Sequence, residues 1–406
     1  MNKSYDSGEL IDGFDIFPMS DLHNRRIAIK LMVGAATGVF GGISAKSAPT
    51  IEKPSLNSLA AHTGRTFGST VYSNFQGSSG SFEDPQYRTL LVNECKVIVP
   101  GNELKWNRIQ RLSSSMRPDF TAADRIIKYA VANNFKIRGH CLLWHHPKRT
   151  PTWMFSHDFG TRPAQSAIKM LDEHITTICR RYNNKIYSYD VVNEAVDPRT
   201  GTVRTTPLSQ AAGGSEVLLD AAFQTASLAA PGIELVYNDY MSWQPESSKH
   251  RSGVLRLLEG FRKRGVPVNA LGCQSHLYAG SKGMSLGSAV ADQRAWRSFL
   301  DEVVGMGYRV LVTELDVNDI WLPNDTQLRD TLAAEMVGAY LDIMLSYNQL
   351  STIICWDLVN RYSYLQLENH RPDRRQSRST PYDNAYRPTA IRGAIAQSLK
   401  TAVTTN

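Results

Sequence analysis

Two glutamates stand at the polar ends of short apolar runs. Glu194 follows the run IYSYDVV plus Asn193, and Glu314 follows YRVLVT. Short runs of this composition read as strands, so each carboxylate sits at a strand end. Two carboxylates that face one sugar carbon can make and break a glycosidic bond. One donates a proton to the leaving oxygen, and the other attacks or activates water. In a parallel barrel, strand ends are where catalytic side chains are held.

The elements that must position the pair follow a regular order. Strand-like runs lie at residues 67–71, 95–99, 135–143, 186–192, 233–237, 268–273, 308–313 and 352–356. Helical patterns lie at 121–132, 164–181, 215–229, 252–264, 291–306, 332–346 and 388–399. In 164–181, Ile168, Leu171, Ile175 and Ile178 recur at helical spacing. Thr121 is a candidate cap, with Asp124 in the first turn. Eight strands, most separated by a helix, predict an α/β fold, the TIM (β/α)8 barrel. A doubly wound open sheet is the competing fold. No GxGxxG follows the first strand, which weakens its nucleotide-binding form.

The 406 residues allow one large barrel, and a hydrophobic fraction of 42% supports a folded core. The formal charge of +7 suits acidic partners such as acidic polysaccharide. No zinc-finger spacing, RNA-binding aromatic motif or long basic arm points to nucleic acid. Residues 1–45 read as a twin-arginine-type export signal: Arg25 and Arg26 precede a short, glycine-rich apolar stretch ending near Ala45. That stretch is too short for a confident membrane span. The expected product is periplasmic or secreted, with no membrane association once the signal is removed. Residues 46–57 read as a linker and 58–402 as the catalytic barrel. Cys95, Cys141, Cys179, Cys273 and Cys355 contain no CxxC pair, and their odd number leaves at least one thiol unpaired. Two stretches look inserted after strand ends, 198–214 and 366–381. The second carries Arg371, Arg374, Arg375 and Arg378 and is a candidate contact for acidic substrate decoration, or a solvated loop.

Seven motifs occur in order: GNELKW from Gly101, RGHCLLWH from Arg138, DVVNEA from Asp190, YNDY from Tyr237, GCQSHL from Gly272, TELD from Thr313, and Trp356. Together they resemble the glycoside hydrolase family 10 xylanases over roughly residues 56–399. The resemblance implies a retaining endo-β-1,4-xylanase acting on xylan or xylo-oligosaccharides as a monomer, without metal or cofactor. It implies Glu194 as acid/base and Glu314 as nucleophile. Asn193 would hold the 2-hydroxyl beside the cleaved bond, and His276 would orient the nucleophile as a neutral donor. Asn102, Lys105, His140, Trp144, Gln274 and Trp356 would contact the sugar. Tyr240 would shape the far side of the cleft, and Asp316 would support the nucleophile's loop or a nearby histidine.

The chain departs from the family pattern on the glycone side. Gly101 stands where the family has glutamate, Pro147 where it has glutamine, and Tyr364 where it has a covering tryptophan. Trp356-Asp357-Leu358-Val359-Asn360 replaces the usual Trp-Gly-x-Thr-Asp. The resemblance therefore implies preserved chemistry with an altered grip on the second sugar, and substrates that are short, decorated or not plain xylan. His146 and the basic insertion are candidate replacements. Two other functions compete. One is a catalytically silent carbohydrate-binding protein on the same barrel. The other is a metal-dependent hydrolase using His140, His145, His146 and His276.

Overall fold

The computed structural model describes residues 54–75, 78–113, 115–278, 286–368 and 371–402. The proposed export signal and most of the proposed linker lie outside the described residues. Eight parallel strands form the barrel: β1 Thr66–Val71, β2 Val97–Pro100, β3 Lys136–Trp144, β4 Ile186–Asn193, β5 Glu234–Asp239, β6 Ala270–Cys273, β7 Arg309–Asn318 and β8 Leu350–Cys355. Each pairs with the next, and β8 pairs with β1, so no barrel edge stays open. A short strand, His276–Tyr278, continues beyond β6 against the upper half of β7, with His276 opposite Asp316.

Eight helices cover the barrel: α1 Pro85–Glu94, α2 Thr121–Ala132, α3 Pro163–Arg181, α4 Ser215–Ala229, α5 Ser248–Lys263, α6 Leu286–Gly305, α7 Thr326–Met344 and α8 Ala390–Thr401. One apolar core runs between barrel and helices. In α3, Leu171, Ile175 and Ile178 are buried, as the spacing predicts, and Ile168 packs at the margin. The interior of the barrel holds small apolar clusters, Val97, Val99 and Ile354, and Val236, Ala270 and Leu311. One step up each of β5, β6 and β7, two-residue alternation replaces Val236, Ala270 and Leu311 with Asn238, Gly272 and Thr313. That step is the floor of the site. Gly272 is required there, because a Cβ would lie 2.3 Å from the Asn238 side-chain oxygen.

Several boundaries differ from the sequence reading. Leu56 and Asn57, assigned to the linker, lie in a helix over Leu56–Ala61, capped by the Ser55 side chain. Leu56 is buried, and its N–H donates to Glu94 at 2.6 Å. The barrel unit therefore starts before residue 58. Cys95 ends α1 instead of opening β2. Thr121 is not a cap but the first residue of α2, its N–H held by the Asp119 carboxylate at 2.9 Å. All five cysteines are free and buried, so they act as small core hydrophobes.

Candidate active site

Glu194 and Glu314 are both buried, at 6% and 4% exposure. Glu194 directly follows β4 with φ +56°, a left-handed conformation that costs a non-glycine residue on the order of 1–3 kcal/mol. The N–H of Glu194 is fixed by the Asn238 carbonyl at 2.9 Å. Ser275 after β6 and Asp357 after β8 are also left-handed, at φ +66° and +82°. These strand ends therefore turn sharply at the rim, where the polar side chains are presented.

One set of amides joins the two carboxylates. Asn238 donates from Nδ2 to Glu314 Oε1 at 2.8 Å and to Asn193 Oδ1 at 2.9 Å. The Thr313 hydroxyl holds the oxygen of the same amide at 2.7 Å, which fixes its orientation. Asn193 donates to Glu194 Oε1 at 3.2 Å, and Gln274 donates to the same oxygen at 3.0 Å. The strands β4, β5, β6 and β7 each supply a member.

His276 lies between two carboxylates. Its Nε2 is 3.3 Å from Glu314 Oε2, and its Nδ1 is 3.0 Å from Asp316 Oδ1. Burial works against charge on the ring, but Asp316 and Glu314 prevail and raise it to about 10. That direction favours the imidazolium, against the neutral donor expected from the sequence. Burial also opposes charge on Glu314, yet the His276 hydrogen bond and the nearby histidines hold that carboxyl below its usual value. Glu194 shifts the other way. Burial raises its carboxyl, and the charges of Asp239 and Glu314 add to this. The Gln274 amide opposes it only in part. Two glutamates of one site are thus pushed apart in acidity, the pattern of an acid and a nucleophile.

The sugar-contact candidates gather beside this pair. Lys105 donates to Asn102 Oδ1 at 2.8 Å and lies over the Trp144 ring at 4.6 Å and the Trp356 ring at 6.0 Å. Burial lowers the Lys105 ammonium to about 8. The His140 ring packs edge-on to Trp356 at 5.3 Å and to Trp144 at 6.3 Å. The Tyr364 hydroxyl reaches His276 Nδ1 at 3.3 Å. Tyr240 stands apart from this group, with its hydroxyl accepting from Arg204 at 2.7 Å and its ring against His250.

Sequence reasoning left out several members. Asn238 was legible as part of a motif, but its double donation exists only once β4, β5 and β7 are adjacent. Asp190 bridges Arg138 and His140 and accepts from His140 Nδ1 at 2.9 Å, fixing that ring. Tyr72 fills the space beside Gly101. A Cβ at residue 101 would lie 2.2 Å from the Tyr72 ring, so the family's glutamate has no room. Tyr72 in turn packs edge-on to Trp356 at 6.3 Å.

Several of the proposed replacements carry internal partners. His146 accepts the Lys148 N–H on its Nδ1 at 3.1 Å. In the basic insertion, Arg371 is buried against Asp319 and Asp373, and Arg378 pairs with Asp330 at 2.5 Å. These two arginines neutralise internal carboxylates, so half of the basic run is structural. The four histidines of the metal reading also separate. His145 binds the Arg204 carbonyl at 2.8 Å, His140 binds Asp190 and His276 binds Asp316. Among the described residues, no group of three or more His, Cys, Asp or Glu side chains converges as a metal site.

The family model for glycosyl hydrolase family 10 matches residues 55–398. The chain is similar to endo-1,4-beta-xylanase B of Paenibacillus barcinonensis, 27% identical over 325 residues, covering 77% of this chain and 90% of that protein. It is 28% identical over 290 residues to a beta-1,4-xylanase of Dictyoglomus thermophilum, covering 69% and 75%. The fold resembles native xylanase 10B from Thermotoga maritima, with TM-score 0.72 and 23% identity over 85% of this chain and 98% of that one. It also resembles a Cellvibrio japonicus xylanase 10C variant in complex with xylopentaose, with TM-score 0.75 and 24% identity over 88% and 72%.

Proposed function

The chain belongs to glycosyl hydrolase family 10, and from that premise we propose that it is a retaining endo-β-1,4-xylanase. The observation that carries the reading is the opposed environment of Glu194 and Glu314, joined by a single amide network. The ionised Glu314 attacks the anomeric carbon while Glu194 gives its proton to the leaving oxygen. Both amide donors address Glu194 Oε1. The glycosyl ester removes the charge of Glu314, one of the charges that raise the Glu194 carboxyl. Glu194 then becomes the better base and takes a proton from the water that cleaves the ester. Asn238 and His276 stay in place through both steps, so little reorganisation opposes the charge changes.

Trp356, with Trp144, Lys105 and His140, offers an aromatic surface with polar rims, which fits a pyranose ring. Tyr72 beside Gly101 supports a weakened second glycone contact. The test is product profiling of the mature protein on glucuronoxylan beside Glu314→Gln. Internal cleavage to short xylo-oligosaccharides, absent in the variant, is expected. Binding without turnover by the unmodified chain would favour the silent carbohydrate-binding reading and overturn this one.

A further inference from the structure

Beyond the reacting pair, β7 continues to Asn318, four residues and roughly 13 Å past Glu314 along the strand. The loop that follows therefore emerges on the catalytic face. It is held by several hydrogen bonds and ion pairs. The Asp319 carboxylate accepts from Ser377 Oγ at 2.7 Å and the Arg378 N–H at 3.0 Å, and it faces Arg329 at 3.5 Å. The buried Arg371 guanidinium donates to the backbone carbonyls of Asp319 and Leu322, the latter at 2.9 Å. Arg375 holds the Asn324 carbonyl at 2.5 Å. The tip of this clamped loop is Trp321, which is 47% exposed. Nearby in the clamping segment, Arg374 and Arg375 are exposed.

A solitary exposed apolar residue needs no explanation. A tryptophan on a turn whose flanking carbonyls are held by a buried arginine, beside the catalytic face, is different. The turn need not be ordered on binding, and it presents a half-exposed ring to a flat apolar partner. We propose that Trp321 is a distal stacking platform for a pyranose ring of the polysaccharide chain, with Arg374 meeting a carboxylate on an acid-decorated unit. The proposal rests on the xylanase reading. The basic insertion then has two roles: Arg371 and Arg378 build the mount, and the outward arginine supplies charge complementarity.

The experiment measures affinity for soluble glucuronoxylan in a Glu314→Gln background. Trp321→Ala should weaken polymer binding about fivefold, with partial recovery in Trp321→Phe. Xylotriose binding, and turnover of an aryl xylobioside in the chain that retains Glu314, should not change. Arg374→Gln should weaken glucuronoxylan binding but not binding of the same xylan after carboxyl reduction. Unchanged polymer affinity in Trp321→Ala, while the unmodified chain still cleaves xylan, overturns the platform alone. An equal loss on xylotriose also overturns it, because the effect would then be structural. A dimer that Trp321→Ala dissociates in sedimentation would assign the tryptophan to self-association instead. A chain that neither cleaves nor binds xylan overturns the xylanase reading and this proposal with it.

Discussion

The surroundings of Glu314 and Glu194 differ in the charges that face each carboxyl. Both carboxyls are buried, and both accept an amide hydrogen bond. Glu314 also faces a histidine that a second carboxylate keeps charged. Glu194 faces Asn193 and Gln274, which are neutral, and otherwise the negative charges of Asp239 and Glu314. Burial alone would raise both groups. The His276 hydrogen bond and the nearby histidines lower Glu314 alone, and that separates the two. On the proposed reading, the same residue type serves as nucleophile or acid according to which strand brings a charged partner, here the continuation of β6 that carries His276.

The largest test of this difference removes each carboxyl in turn. Glu314→Gln should lower kcat by at least about 10⁴-fold on every substrate, because no other group can form the ester. Glu194→Ala should cost about 10²–10⁴-fold on xylan, whose leaving oxygen needs a proton. It should cost far less in the first step on an aryl glycoside with an acidic leaving group. Equal losses on both substrates would erase the distinction between the two sites.

A smaller effect sharpens the comparison through pH. Asp316→Asn removes the partner that keeps His276 charged, and burial then pulls the ring toward neutrality. Glu314 loses its cation, its carboxyl rises, and the acidic limb of kcat/KM should move up by about one unit. An unmoved acidic limb would show that Glu314 does not depend on the histidine charge. The smallest effect is expected for Gln274→Ala. This amide favours the ionised form of Glu194, so its loss raises that carboxyl and moves the alkaline limb to higher pH. Activity below the limb should fall only a few-fold, on the order of one hydrogen bond. Opposite limbs responding to the two variants would separate the two environments directly.

Much of the scaffold was legible because barrel strands carry continuous apolar runs, and both glutamates followed such runs. The α4 helix, Ser215–Ala229, fell at its predicted bounds. The α1 helix was missed because its apolar residues recur weakly. Its signals were local instead: Asp84 caps the Gln86 N–H and Pro85 opens the first turn. The charge on His276 was not legible, since it depends on Asp316, forty residues away, in the register of a neighbouring strand. The fit of Tyr72 over Gly101 also appears only when β1 and β2 are side by side. The basic insertion was legible only in part, because composition cannot tell an arginine that faces solvent from one that turns inward to Asp319 or Asp330.

The central claim is double displacement through an ester on Glu314, and the anomeric configuration of the first product tests it most directly. Proton NMR during the first minutes of xylo-oligosaccharide hydrolysis would follow the new reducing end before mutarotation. The account expects the β-anomer to accumulate first, with the α-anomer appearing only as the solution equilibrates. First accumulation of the α-anomer would mean direct attack by water, and it would contradict Glu314 as the nucleophile.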